Sequence, residues 1–415
     1  MKRPIAISLS PNTSPADVRL AGKLLFLHSY WKNPAALSRA AERLAPYFPG
    51  RFLSFASSGR QALYDLLRVY GIGTGDEVII QAFTCIAVPE PLLWLGIKPV
   101  YADVAEGSYS VDLEDVKKKI TPKTKAIIVQ HTFGIPGPIE EIVALAQQNG
   151  IVVIEDCAHA LGGMLNGKHL GTFGDAAIAS FGRDKCVSSV FGGAVILKDK
   201  NKLHELQQLQ RSRKLPPASW VAQQLLHPVI FSIVLPLYFT AGIGKALLVV
   251  AQKVGLLSRA VEYKERIGSR PVHIDHAYSP ALALLLGQQL EKLPHMVKRR
   301  REIARRYQEE IHALSEQEKA PHADAAWLRF PLRTPHAKAI LQDARAKGML
   351  LGDWYDAPLV PATSYMKAFE YTEGSCPRAE AASKEIINLP TYAALTDTQV
   401  TTIIDFMNSY GNSRN

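Results

Sequence analysis

Between residues 58 and 200 the chain alternates short apolar runs with amphipathic stretches. The runs are EVII at 77–80, KPVYADV at 98–104, KAIIVQ at 125–130, IVVIED at 151–156, AAIASF at 176–181 and GGAVIL at 192–197. Their length and their Val and Ile content predict buried strands, while segments between them such as PIEEIVALAQQNG predict helices. Repeated units of this kind predict a large α/β domain of βα units around a parallel or mixed sheet. Further on, ALALLLGQQLEKLPHMVKRRREIARRYQEEIHAL at 281–314 reads as one long helix or two, with its KRRRE run on the solvated side. WLRFPLRT, a helix around HAKAILQDARAKG and a closing helix near TDTQVTTIIDFMNSY then predict a smaller C-terminal α/β domain. The expected organisation is a large domain over 1–200 that includes an N-terminal arm, an insertion or linker over 201–280, and a small domain over 281–415.

One segment breaks the alternation. Between Lys214 and Lys245 there is no Asp, Glu, Lys or Arg, and the centre reads WVAQQLLHPVIFSIVLPLYFTAGIG. An uncharged apolar run of this length qualifies as a membrane span. Pro228 and Pro236 are expected to break a single helix there, which favours an interfacial or re-entrant membrane hairpin over 215–257, or a large subunit interface.

Composition narrows the partners. The 415 residues are 47% hydrophobic, enough for one large core and a smaller one or for two comparable domains, and the net charge is +10. A basic balance favours an anionic partner: a nucleotide diphosphate, a nucleic acid or an acidic membrane face. No nucleic-acid recognition motif or interleaved aromatic and basic patch accompanies the charge, so no nucleic acid is expected. Cys85, Cys157, Cys186 and Cys376 are widely spaced, which indicates neither a disulfide framework nor a metal site and fits a reducing cytoplasm. After Met1-Lys2-Arg3 the stretch IAISLSPNTSP is too short and too polar for the core of a signal peptide, and the protein is expected to stay in the cell.

Three stretches carry candidate chemistry. In SSGRQALYDLL at 57–67 a small-residue turn leads into a helix, whose free N–H groups and positive dipole end can seat a phosphate. Taken alone, an ordinary serine N-cap explains the same turn. In IVVIEDCAHALGG at 151–163 an apolar strand ends in Glu155 and Asp156, with His159 close behind; a carboxylate there either caps a helix or holds a protonated ring nitrogen. In AAIASFGRDK a strand ends before Lys185, a solvated amine or an imine-forming one, and Ser180 could complete the phosphate seat.

The order SGxxAL, E-D-x-A-[QH]-A-x-G, G-x-F-G-D and S-F-x-x-x-K resembles the DegT/DnrJ/StrS family of sugar aminotransferases, which are fold-type I pyridoxal-phosphate enzymes. The resemblance covers most of 35–200 and returns at 281–410. It implies pyridoxal 5'-phosphate as cofactor, with Lys185 as the lysine that holds it as an imine and later moves protons. It also implies Asp156 at the pyridine nitrogen and His159 beside the ring, as a catalytic set with Lys185. Ser58, Gly59, Arg60 and Ser180 would hold the phosphate. The implied reaction passes an amino group, with glutamate as donor, to an anionic keto-sugar on a nucleotide or lipid in polysaccharide biosynthesis, in a homodimer.

Several positions depart from the family pattern. Arg60 stands where Thr is usual, Cys85 where an aromatic stacks on the ring, Val190-Phe191-Gly192-Gly193 in place of GEGG, and HIDHAYSP in place of N-Y-R-M. These changes motivate a different reading, a membrane-associated scaffold or regulator that keeps the fold without turnover. The retained Lys185, Asp156 and Ser180 favour catalysis.

Overall fold

The computed structural model describes residues 5–412 apart from 239, 241, 260 and 313–323. Its centre is a seven-stranded sheet: β1 (Phe52–Ala56), β2 (Glu77–Gln81), β3 (Lys98–Ala102), β4 (Thr124–Gln130), β5 (Val152–Asp156), β6 (Ala176–Ser180) and β7 (Gly193–Leu197). The order is β1-β7-β6-β5-β4-β2-β3, with β7 antiparallel to both of its neighbours and every other pairing parallel. All six apolar runs lie in this sheet. The seventh strand, FLSFA, is half-buried and alternates too weakly to stand out in sequence. Because successive side chains on a strand face opposite ways, Val78, Ile80, Ile128, Ile154 and Ile178 fill one layer and Ile79, Ile127 and Val153 another.

Four helices position the site. α1 (Gly59–Val69) follows β1 directly, α2 (Ala218–Val234) and α3 (Ile243–Lys253) form the segment after β7, and α4 (Pro280–Glu310) runs unbroken through Pro294. The expected break at Pro228 does not occur: it lies inside α2, and the helix ends at the turn Leu235–Leu237 that contains Pro236. α2 packs against the helix Pro15–Phe26, and a bond of 2.7 Å joins the Ser10 hydroxyl to His227 Nε2 next to Pro228, contacts that offset the N–H lost there. The N-terminal arm crosses the molecule, and Ile5–Ala6 pair in parallel with Met349–Leu350 of the C-terminal region. There, Arg329–Arg333 and Ile386–Pro390 form an antiparallel pair.

Two buried guanidinium groups fasten these parts. Arg300, fully buried on α4, donates to the carbonyls of Trp327 and Leu328 at 3.3 and 3.0 Å, to the Thr391 hydroxyl at 3.3 Å and to Asn12 Oδ1 at 2.9 Å. It therefore ties α4 to the C-terminal pair and to the N-terminal arm. Arg60 on α1 is paired with Glu90 at 3.2 Å and with Glu265, and both carboxylates are fully buried. Burial pushes the Glu90 carboxyl up to about 7 against the pull of Arg60, and its Oε1 has no hydrogen-bond partner.

Replacing Arg300 with Leu strands its carbonyl partners out of water, and the expected loss is about 3 kcal/mol, read as a lower urea midpoint. Glu90 gives a pH signature of defined sign. Between about pH 4.5 and 7 the folded state keeps a proton that the unfolded state has released, so stability falls as pH rises, by up to about 1.4 kcal/mol per unit. In Glu90→Gln, urea midpoints measured across that window should lack this component; an unchanged slope would contradict the assignment.

Candidate active site

The site lies at the carboxyl ends of β4, β5 and β6, where open α/β sheets place their ligands. Strand β5 ends in two acids that must point to opposite faces. Glu155 turns away from the site: its oxygens accept from the backbone N–H groups of Gly171, Phe173 and Gly174 at 2.7, 2.7 and 2.8 Å, and from His131 Nε2 at 3.1 Å. His131 Nδ1 accepts from Gly137, so the ring proton sits on the nitrogen facing Glu155. Burial alone would raise the Glu155 carboxyl, but His131 and the backbone donors outweigh it and hold it below the usual range. Cys157 lies close to both side chains, but the carboxylate and the imidazole are already taken up by these bonds.

Asp156 faces the other way, into a cavity of about 190 Å³. Ser58, Gly59, Arg60, His159, Ser180 and Lys185 line the same cavity, so every residue singled out for the cofactor meets in one place. At its floor, Ser58 caps α1, its hydroxyl accepting from the Gln61 N–H at 3.2 Å. Gly59 is needed for close approach: a Cβ there would stand 3.1 Å from that of Ser180. Arg60 lines the cavity too, but its guanidinium is engaged by Glu90 and Glu265.

Electrostatics set the protonation of the central groups. Burial lowers the Lys185 amine, an effect that Cys85 and Asp156 oppose and Arg329 reinforces. Burial raises the Asp156 carboxyl, partly offset by the Ala158 N–H at 2.9 Å and by Lys185. His159 is held well below its ordinary value by burial, with Lys185 and Arg329 adding to it, and is neutral. Its Nδ1 accepts from the Phe133 N–H at 3.2 Å, which leaves the proton on Nε2. The Lys185 carbonyl accepts from Asn12 Nδ2 at 2.6 Å, fixing the loop that carries the amine.

The second half of the chain supplies what local motifs do not reveal. Trp354 and Tyr355 enter the cavity from the C-terminal region; both rings lie 6.1 Å from His159 and nearly parallel to it. The Lys185 amine lies 5.7 Å from the centre of the Trp354 ring, and the Arg329 guanidinium stands 4.1 Å from the same ring. Cys85, at the position where the family pattern has an aromatic, lines the wall, and His159, Trp354 and Tyr355 bring flat rings to the same cavity. In HIDHAYSP, Tyr278 bonds the Ser189 hydroxyl at 2.7 Å and packs on Gly192, where a Cβ would meet its ring at 2.6 Å. Tyr278 thus closes the loop that follows Lys185. A helix N-terminus, a buried carboxylate, a lysine with a lowered amine and a neutral flat imidazole are the donor set that a phosphorylated pyridine aldehyde requires, and pyridoxal phosphate fits it.

A second cavity of about 470 Å³ adjoins the first, and Cys85, Arg183, Asp184, Val261 and Trp354 stand in the wall of both. Arg259 and Arg266 line it as well, so three arginines and one acid, Asp184, are among its lining residues. Arg183 donates to the Ser258 carbonyl at 2.6 Å, and burial lowers it to about 10.

Comparison with known proteins places this arrangement. A UDP-N-acetyl-3-dehydro-alpha-D-glucosamine 3-aminotransferase of Acidithiobacillus ferrooxidans is 42% identical over 155 residues, which are 37% of this chain and 42% of that protein. The match therefore spans less than half of that relative's length. A pleiotropic regulatory protein of Geobacillus stearothermophilus is 26% identical over 348 residues, 84% of this chain and 82% of its own. The solved aminotransferase from Psychrobacter cryohalolentis superposes with a TM-score of 0.73 at 21% identity, over 97% of this chain and 98% of that one, a likeness of fold. The family model for the DegT/DnrJ/EryC1/StrS aminotransferases matches residues 31–216 and 278–408, two blocks that enclose the Lys185 cavity from both sides, and the chain belongs to that family.

Proposed function

We propose that this protein is a pyridoxal-phosphate-dependent aminotransferase that passes an amino group, with glutamate as donor, to a keto-sugar carried on a nucleotide or lipid diphosphate in glycan biosynthesis. The observation that carries the reading is the convergence of Lys185, Asp156 and the Ser58–Gly59 helix start on one cavity. When bound, the cofactor supplies an electron sink for charge developing at the carbon next to the amine. The chain's own groups do the rest. The first N–H groups of α1, with Ser58 and Ser180, hold the phosphate at the positive end of the helix dipole. Asp156 keeps a proton at the ring nitrogen. Lys185, with its amine lowered by burial, takes the proton from one carbon as a base and returns it to another as an acid. His159 contributes a neutral flat face, and Trp354 and Tyr355 help to exclude water.

The arginine-lined second cavity supports an anionic carrier. The name of the 42% identical relative specifies a keto-sugar on a nucleotide diphosphate, and the same substrate class is proposed here. The reading includes a cytoplasmic location, a homodimer and a peripheral membrane contact through 215–257. A second reading, a regulator without turnover, is favoured by the likeness to a regulatory protein over most of the chain and by Cys85 at the ring-stacking position.

An absorbance spectrum separates the two. Wild type should show a band at about 410–430 nm that glutamate shifts toward about 330 nm, and Lys185→Ala should lose the borohydride-stable attachment. Asp156→Asn should keep the band and slow the glutamate half-reaction by about 100-fold or more. A wild-type protein that takes up the cofactor without responding to any amino donor would support the regulator.

A further inference from the structure

Residues 217–277, which carry α2 and α3, lie between the two blocks matched by the family model. Together with the turn Leu235–Leu237, α2 is long and apolar enough to cross a membrane, 20 residues over Ala218–Leu237. Its buried face, including Val221, Leu225 and Phe231, packs into the body of the protein. α3 is attached more thinly, by Leu248 and Ala251 against Phe231, Leu235 and Leu257. What it leaves outside is unusual for a surface helix. Ile243, Leu247, Val250 and Val254 recur at helical spacing and are 47%, 41%, 54% and 63% exposed, forming one continuous apolar stripe.

The segment that carries this stripe has charge of one sign. From Leu206 to Val261 the sequence contains no Asp or Glu, while Arg211, Lys214, Lys245, Lys253 and Arg259 are exposed. We infer that α3 is an in-plane anchor that seats this protein on an anionic lipid surface, with the Ile243–Val254 stripe among the acyl chains and the flanking bases against the headgroups. A two-fold contact with a second copy fits this face less well: an isologous interface sets each base against the same acid-free patch, and nothing in the segment neutralises it. The inference deepens the membrane contact of the proposed function and does not depend on amino transfer. The same segment supplies Arg259 and Arg266 to the cavity beside Lys185, so docking through α3 brings that cavity toward the headgroups.

The test is co-sedimentation of the full chain with vesicles of phosphatidylcholine alone or mixed with about one-quarter phosphatidylglycerol. Wild type should bind the anionic vesicles at least about tenfold more tightly than the neutral ones, and about 0.5 M salt should weaken that binding. Leu247→Asp/Val250→Asp should reduce it by about tenfold or more while leaving the glutamate spectrum unchanged. Leu247→Ser/Val250→Ser gives the same reading should the charged pair fail to fold. No preference for anionic vesicles, or undiminished binding by a folded double variant, would overturn the proposal. So would a double variant that turns a dimer into a monomer in sedimentation equilibrium while wild type ignores vesicles, since the stripe would then be a subunit interface. Failure of the amino-transfer reading appears separately, in the spectrum.

Discussion

Strand geometry leaves the pair Glu155-Asp156 no choice: adjacent side chains on an extended backbone face opposite ways. One carboxylate therefore goes below the sheet and the other above it, and both halves of the site depend on that division. Glu155 gathers three backbone N–H groups of the turn at 171–174 and sets where β6 begins. Since β6 delivers Ser180 and then the loop of Lys185, the acid turned away from the cavity fixes the position of the amine inside it. Asp156 can then remain a poorly solvated carboxylate, because the structural bonding is done by its neighbour.

The same economy explains why the two flanking arginines are buried. Arg60 gives up its guanidinium to Glu90 and Glu265, which anchors α1 where its N-terminus meets Ser180. Arg300 secures the C-terminal pair of strands, the part of the molecule that carries Trp354 and Tyr355 toward the lysine. Neither arginine needs to touch a ligand to matter to the site. Each holds a wall whose placement sets how dry the Lys185 amine is.

Much of this was legible in the sequence, and the reason is locality. Six of the seven sheet strands are continuous apolar runs, and the first-half site residues sit within a few positions of a strand end or a helix start, where short motifs have a mechanical meaning. What escaped depends on distant contacts. Trp354 and Tyr355 follow no motif and reach the site only because the chain folds back. Arg60 reads as a phosphate ligand until Glu90 and Glu265, remote in sequence, are seen to claim it. Pro228 reads as a helix breaker because propensity takes no account of the body of the protein lying against α2. HIDHAYSP carried no recognisable signal, although Tyr278 within it closes the loop after the lysine.

Asn12 has a consequence of another kind. Its side chain donates to the Lys185 carbonyl and accepts from Arg300, joining positions 173 and 288 residues away from it. Contacts of such separation form late, because the chain entropy between them must be lost first. On the ribosome the large sheet can assemble as soon as β7 emerges, yet the loop bearing the reactive amine stays unlatched until α4 has been synthesised. The order of synthesis thus completes the sheet before it completes the cavity, and a nascent chain released early would have the sheet without a fixed Lys185 loop.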